Sequence, residues 1–136
     1  MNSPKCKVLE SSLRYKQKVV RALHYDSLSL SIDIQGERMF SFARVTFRKP
    51  IGFRVLDEMD LSEFWNNYGE SNGWLYEVLE GGWMELETQR QGFSSQAIYK
   101  NELKEYLLVD YKCISVLSIN PPEIEDFGTD PADPNY

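Results

Sequence analysis

Between residues 28 and 34 the chain alternates strictly. Leu28, Leu30, Ile32 and Ile34 are apolar, while Ser29, Ser31 and Asp33 are polar. A period of two sends the two sets to opposite sides of a strand, which predicts one buried and one polar face. Apolar runs predict further strands near 17–24, 39–48, 53–56, 106–109 and 113–119. Leu9, Leu13, Val20 and Leu23 fall near one helical face, so irregular structure or a short helix is expected ahead of the strand at 17–24. Within 39–48, Phe40 and Phe42 share one parity, and Val45 and Phe47 the other. That switch near Ala43-Arg44 predicts a β-bulge or a strand buried on both faces. Turns are expected at Gln35-Gly36-Glu37-Arg38 and Asp110-Tyr111-Lys112. Pro50 interrupts the pattern because proline cannot donate to a ladder.

Residues 74–87 read WLYEVLEGGWMELE. Two strand-like runs flank Gly81-Gly82, and a type I′ turn needs positive φ at both central residues, which glycine supplies. The stretch therefore predicts a β-hairpin in which Glu80 opposes Trp83, Val78 opposes Glu85, and Tyr76 opposes Glu87. One face then holds Leu75, Leu79, Met84 and Leu86 and is the core candidate. The other holds Trp74, Tyr76, Val78 and Trp83 among carboxylates. Aromatic anchors with a charged rim are common at protein interfaces. Tyr76, Glu80, Trp83, Glu85 and Glu87 are accordingly the candidate partner-binding residues.

Helical signals are short. Asp60 with Glu63 forms a capping-box-like start, with Leu61, Phe64 and Trp65 on an apolar side and an end near 66–69. Residues 97–104 favour another helical turn, after a polar loop over 89–95. Long crossover helices are missing. The expected class is mainly β (α+β): a curved antiparallel sheet or half-open barrel with one or two short helices. Residues 1–119 read as a single β-rich domain. Residues 120–136, with Pro121, Pro122, Pro131 and Pro134, read as an acidic tail, disordered after about Gly128. Ile124 and Phe127 are the tail residues able to dock.

Composition narrows the function classes. A chain of 136 residues with 42% hydrophobic and 13% aromatic content can build a core without metal or disulfides. Cys6 and Cys113 are too few for a disulfide framework or a zinc site, which points to a reducing, cytoplasmic setting. Neither a secretory leader nor a membrane span is legible. The net charge is −6. Residues 1–24 carry six basic groups and one acid, whereas residues 120–136 carry five acids and no base. The acidic balance argues against general nucleic-acid binding, because phosphates would be repelled.

Catalytic constellations are weak. His24 and Asp26 share a strand face and could form an acid–base pair, but no nucleophile motif accompanies them. Asp57, Glu58, Asp60 and Glu63 cluster behind Arg54. Helix-start preference explains these acids, and Arg44, Arg48 and Arg54 are candidates to pair with them. Gly81-Gly82 lies between strands, so it carries no nucleotide signal. No catalytic residue, metal site or cofactor is assigned. Two functions remain. The first is a small acidic module that binds a basic protein partner, of which a toxin-neutralising immunity-type inhibitor is one form. The second is a small-molecule binder or enzyme with an aromatic cavity, lined by Phe40, Phe42, Phe47 and Phe53, with Arg44 or Arg54 holding an anion.

Overall fold

The computed structural model describes residues 4–10, 19–35, 41–57, 60–61, 64, 73–110 and 112–129. The elements run β1 (Lys5–Glu10), β2 (Val19–Tyr25), β3 (Ser29–Gln35), β4 (Ser41–Arg48), β5 (Gly52–Asp57), β6 (Leu75–Glu80), α1 (Trp83–Thr88), α2 (Ser95–Tyr99), β7 (Lys104–Leu108), β8 (Lys112–Ser118) and β9 (Glu123–Thr129). A 3-10 turn over Lys100–Glu102 joins α2 to β7. The strands form two antiparallel sheets, one of order β1-β6-β7-β8-β5 and one of order β2-β3-β4-β9. The mainly β class holds, with the strands split between two sheets, neither closed into a barrel. The turn at 36–38, Phe40, Glu58, Glu63 and Trp65 lie outside the described residues.

The alternation that marks β3 is reproduced in its burial from Leu30 onward, while Leu28, expected on the buried face, precedes the strand and is 65% exposed. Leu30, Ile32 and Ile34 are buried, and the residues between them are half-exposed. They meet Ala43, Val45 and Phe47 of β4 on the same face. Against them the five-stranded sheet sets Leu75, Tyr106, Leu108, Ile114 and Val116. This inter-sheet layer is the main core, and Phe47 meets Tyr106 in it with ring centroids 5.4 Å apart. The opposite face of the five-stranded sheet is apolar as well. Tyr76, Val78, Leu107, Val109 and Cys113 pack there under Leu61 and Phe64. The five-stranded sheet is thus a middle layer, which explains why β7 and β8 read as continuous apolar runs without alternation.

Three expectations about strands change, the first being that Lys5–Glu10, ahead of the strand at 17–24, is neither irregular nor a helix but β1, paired with β6. Ala43, Val45 and Phe47 share one parity, so β4 has no switch of face; Phe42 points outward and is 37% exposed. A bulge does lie at this point, but in the partner strand: Phe42 opposes Gly128 and Ala43 opposes Asp126, which leaves Phe127 as the extra residue of β9. The compositional boundary at Asn120 is also not a structural one. Glu123–Thr129 pairs with β4 as an edge strand, and Arg48 reaches across to Glu123 at 3.0 Å. An acidic strand with three turn-prone neighbours reads as tail from composition, yet an edge position needs only backbone pairing and tolerates exposed charge.

Cys6 and Cys113 both face the second core layer as free thiols. They sit on β1 and β8, with β6 and β7 between them. Three strand spacings amount to roughly 14 Å, about twice the reach of a disulfide. Burial, helped by the nearby Glu105 carboxylate, pushes the Cys6 thiol up to about 12. Iodoacetamide at pH 8 should therefore leave both cysteines of the native protein unmodified over minutes and alkylate both in denaturant. Rapid native modification of Cys6, read by mass spectrometry, would contradict this placement.

Candidate functional site

The second arm of the expected hairpin is a helix. Gly81 has φ of 79°, the left-handed turn conformation, but Gly82 is extended at φ −110° and ψ −155°. A type I′ turn requires positive φ at both positions, so the pair instead ends β6 and opens α1. Met84, Glu85, Leu86 and Glu87 are all good helix formers, and their alternation with polar residues imitated a strand over too short a window for the two periods to separate.

What the sequence pattern missed is Glu105. It lies on β7 opposite Val78 of β6 and is only 1% exposed. Its Oε1 accepts the Met84 backbone N–H at 2.8 Å, and its Oε2 accepts that of Trp83 at 3.1 Å. These are the first two residues of α1, whose N–H groups have no intrahelical acceptor. One buried carboxylate thus seats the helix on the sheet. Burial pushes the Glu105 carboxyl above its ordinary value, while the two backbone donors and the Arg54 charge oppose that rise. The signal was present: Leu103, Glu105, Leu107 and Val109 share one parity, and a lone acid in an apolar stripe needs buried donors.

Gly82 makes this approach feasible. A Cβ there would stand 2.7 Å from both Glu105 carboxylate oxygens and 2.7 Å from Val78 Cγ1. Its backbone angles suit any residue, so the restriction is one of space alone. Gly82→Ala should cost about 1–3 kcal/mol, the range for overpacking a close contact. Gly92→Ala, in the exposed loop after α1, is the control and should leave the urea midpoint nearly unchanged. Equal midpoints for the two variants would show that the α1 seat has slack.

The five candidate partner-binding residues divide. Tyr76 is fully buried and points its hydroxyl to the Gly73 carbonyl at 3.4 Å, so it leaves the surface set. Its strand belongs to the middle layer, both faces of which are covered. For the same reason the proposed apolar face fails in part: Leu75 is buried, but Leu79 and Leu86 are exposed. Trp83 is half-buried. Its ring lies under the Arg54 guanidinium at 5.1 Å and beside Gly52, and its Nε1 donates to Glu87 at 3.1 Å. Glu87 also accepts from Arg90 at 2.8 Å, and that bond, ahead of the one from Trp83, holds its carboxyl below the ordinary range. Glu85 accepts the Gly81 N–H, and Glu80 pairs with Lys5 at 3.2 Å.

Glu80, Glu85 and Glu105 nevertheless meet. All three line a concavity of ~260 Å³ at the β6–α1 corner, together with the apolar Val78, Leu79 and Met84. Glu80 and Glu85 stand at its accessible rim, and Glu105 lies at its base.

The other candidates find structural uses. Asp26 accepts the N–H groups of Ser29 at 2.9 Å and Leu28 at 3.0 Å, closing the β2–β3 turn. Those bonds lower its carboxyl pKa, and they commit the would-be partner of His24 to the backbone. Arg44 pairs across strands with Asp33, and Arg48 with Glu123, where pairing with the acids of 57–63 was the expectation; Glu58 and Glu63 lie outside the described residues. Asp57 pairs with Lys112. The described phenylalanines do not share a cavity: Phe47 is core, Phe53 packs against Tyr25 in a tilted contact with ring centroids 5.3 Å apart, and Phe42 faces outward. Among the described residues no three His, Cys, Asp or Glu side chains are grouped to hold a metal ion, and no helix is long and apolar enough to cross a membrane. No family model, curated protein or solved structure matches the chain.

Proposed function

We propose that the chain is a protein-binding module whose acidic β6–α1 corner receives a basic segment of a partner, and that neutralisation of a toxin, in the manner of an immunity-type inhibitor, is the form this takes. The observation that carries the reading is the concavity itself. Glu80 and Glu85 at its rim offer charge, while Val78, Leu79 and Met84 offer an apolar wall. A lysine or arginine side chain has that same division, an aliphatic stem below a cationic head. The exposed Leu79 and Leu86 extend the apolar margin on either side of the turn. A net charge of −6 would speed encounter with a basic partner and make it salt-dependent. Two free cysteines and no disulfide suit a reducing cytoplasm.

Affinity capture from the native cell, run in parallel with wild type and with Glu80→Lys/Glu85→Gln, tests the reading. The wild type should retain a basic protein, and the double variant should lose it by tenfold or more while keeping its circular dichroism. Equal retention by both proteins removes the corner from the interface.

A further inference from the structure

The outward face of the four-stranded sheet lies on the side of the molecule away from α1, and it carries a second concavity of ~280 Å³. Arg21, Asp33, Phe42, Arg44 and Phe127 line it. Two of these side chains arrive there through irregularities at opposite edges of the sheet. On β2, Val20 opposes Ile34 and Ala22 opposes Asp33, so Arg21 is an extra residue. On β9, Phe127 is the extra residue. A bulge re-aims the side chain it carries, and bulges are over-represented beside functional sites. Here two bulges, on strands separated by β3 and β4, turn a cation and an aromatic ring toward one hollow.

The chemistry of the walls is specific. Phe127 is 55% exposed and Phe42 is 37% exposed, and they bring aromatic surface to a face that is mostly polar along β3 and β4 but also carries the exposed Val19 on β2. Arg44 stands over the Phe127 ring at 5.7 Å, held by Asp33, which accepts from its Nε at 2.6 Å and from a terminal nitrogen at 3.5 Å. Asp33 and the nearby Glu125 offset the Arg44 charge. Arg21 is different: it makes no ion pair or hydrogen bond among the described residues, so its charge is the uncompensated one. We infer that this hollow binds a small planar aromatic anion, its ring against Phe42 and Phe127 and its anionic group on Arg21. The volume is near the lower end for ligand sites, which limits the ligand to one or two fused rings.

The probe is 2-naphthoate, with the uncharged 2-naphthalenemethanol as its partner, each titrated into the full chain and followed by amide NMR shifts. A ligand of this size at ordinary efficiency binds at about 1 mM or tighter. The expected result is saturable shifts centred on residues 21, 42, 44 and 127, with the anion at least fivefold tighter than the alcohol. Phe127→Ala should weaken both probes by about tenfold. Arg21→Gln should abolish the preference for the anion and leave the alcohol unchanged. Both positions are exposed, so the variants should keep the wild-type melting curve. Glu80→Lys/Glu85→Gln should bind 2-naphthoate like wild type, which separates this site from the acidic corner. Unsaturable shifts, shifts centred elsewhere, equal affinities for the two probes, or full binding by Phe127→Ala would each overturn the assignment.

Discussion

Glu105→Ala is expected to lower the unfolding free energy by about 2–4 kcal/mol, measured by urea denaturation at pH 7. The variant removes the acceptor of two buried N–H groups, those of Trp83 and Met84, and each orphaned donor costs roughly 1–3 kcal/mol. Two effects keep the sum below the arithmetic maximum. The buried charge no longer has to be desolvated, and water from the adjoining concavity can reach the vacated space. Against a total of about 5–15 kcal/mol, the loss is large for one surface helix of six residues. Glu105→Gln keeps one acceptor oxygen but turns an amide donor toward the other N–H, so an intermediate cost of about 1–2 kcal/mol is expected.

Acidity separates the two variants from the parent. Burial raises the Glu105 carboxyl in the folded protein above its unfolded value of 4.5. The folded state therefore binds the proton more tightly. The contribution of this group is fully present below the unfolded pKa and is lost as pH rises through the folded one. Wild type should gain stability relative to Glu105→Gln as pH falls from 7 toward 4.5, and the gap should stop growing below that. A gap independent of pH would mean that burial does not outweigh the two backbone donors and the Arg54 charge at Glu105. Asp26 and Glu87 act in the opposite sense, since their folded pKa values are lowered, but both proteins carry them and they cancel in the difference.

The elements that were legible are those whose burial is one-sided. β3 could be read residue by residue because its outer face meets solvent, and the alternation of Leu30, Ile32 and Ile34 with polar residues records that geometry. β7 and β8 were legible as strands, but their apolar runs could not say which layer they occupy. The same ambiguity misplaced Tyr76, which counts as outward only if one face of β6 is wet. Gly81-Gly82 does end β6, but it is not the type I′ hairpin turn expected of it. What failed was the identity of the next element, because the reason for Gly82 lies 23 residues downstream in Glu105, a contact that local periodicity does not encode. Of the candidate surface, Glu80 and Glu85 survive at an accessible rim, whereas Trp83 and Glu87 are occupied in holding α1 to Arg54 and Arg90. β9 was hidden by composition, since an edge strand needs few apolar residues.

Phe47→Ala should be the most damaging single truncation considered, at about 3–5 kcal/mol. Phe47 sits on β4 of one sheet, 1% exposed, and its ring meets Tyr106 on β7 of the other. Truncation removes the transfer energy of a large side chain, adds a cavity between two sheets whose backbones are fixed by their own ladders, and forfeits a ring contact worth about 0.5–1.5 kcal/mol. Among the described residues the sheets share no ladder hydrogen bonds, and what couples them is this layer and isolated cross-links such as the Val20 N–H to Asp110 at 2.8 Å. Phe47→Leu keeps most of the volume and should cost about half as much. Phe53→Ala, at a half-buried ring in tilted contact with exposed Tyr25, should cost clearly less than Phe47→Ala. The comparison also decides what the phenylalanines are for. If Phe47 lined a ligand cavity, its truncation would be cheap, since a side chain facing an existing void leaves little new cavity behind. A cost below about 1 kcal/mol, read from paired urea curves with an unchanged m-value, would therefore favour a ligand cavity at Phe47 over the packed layer in which it meets Tyr106.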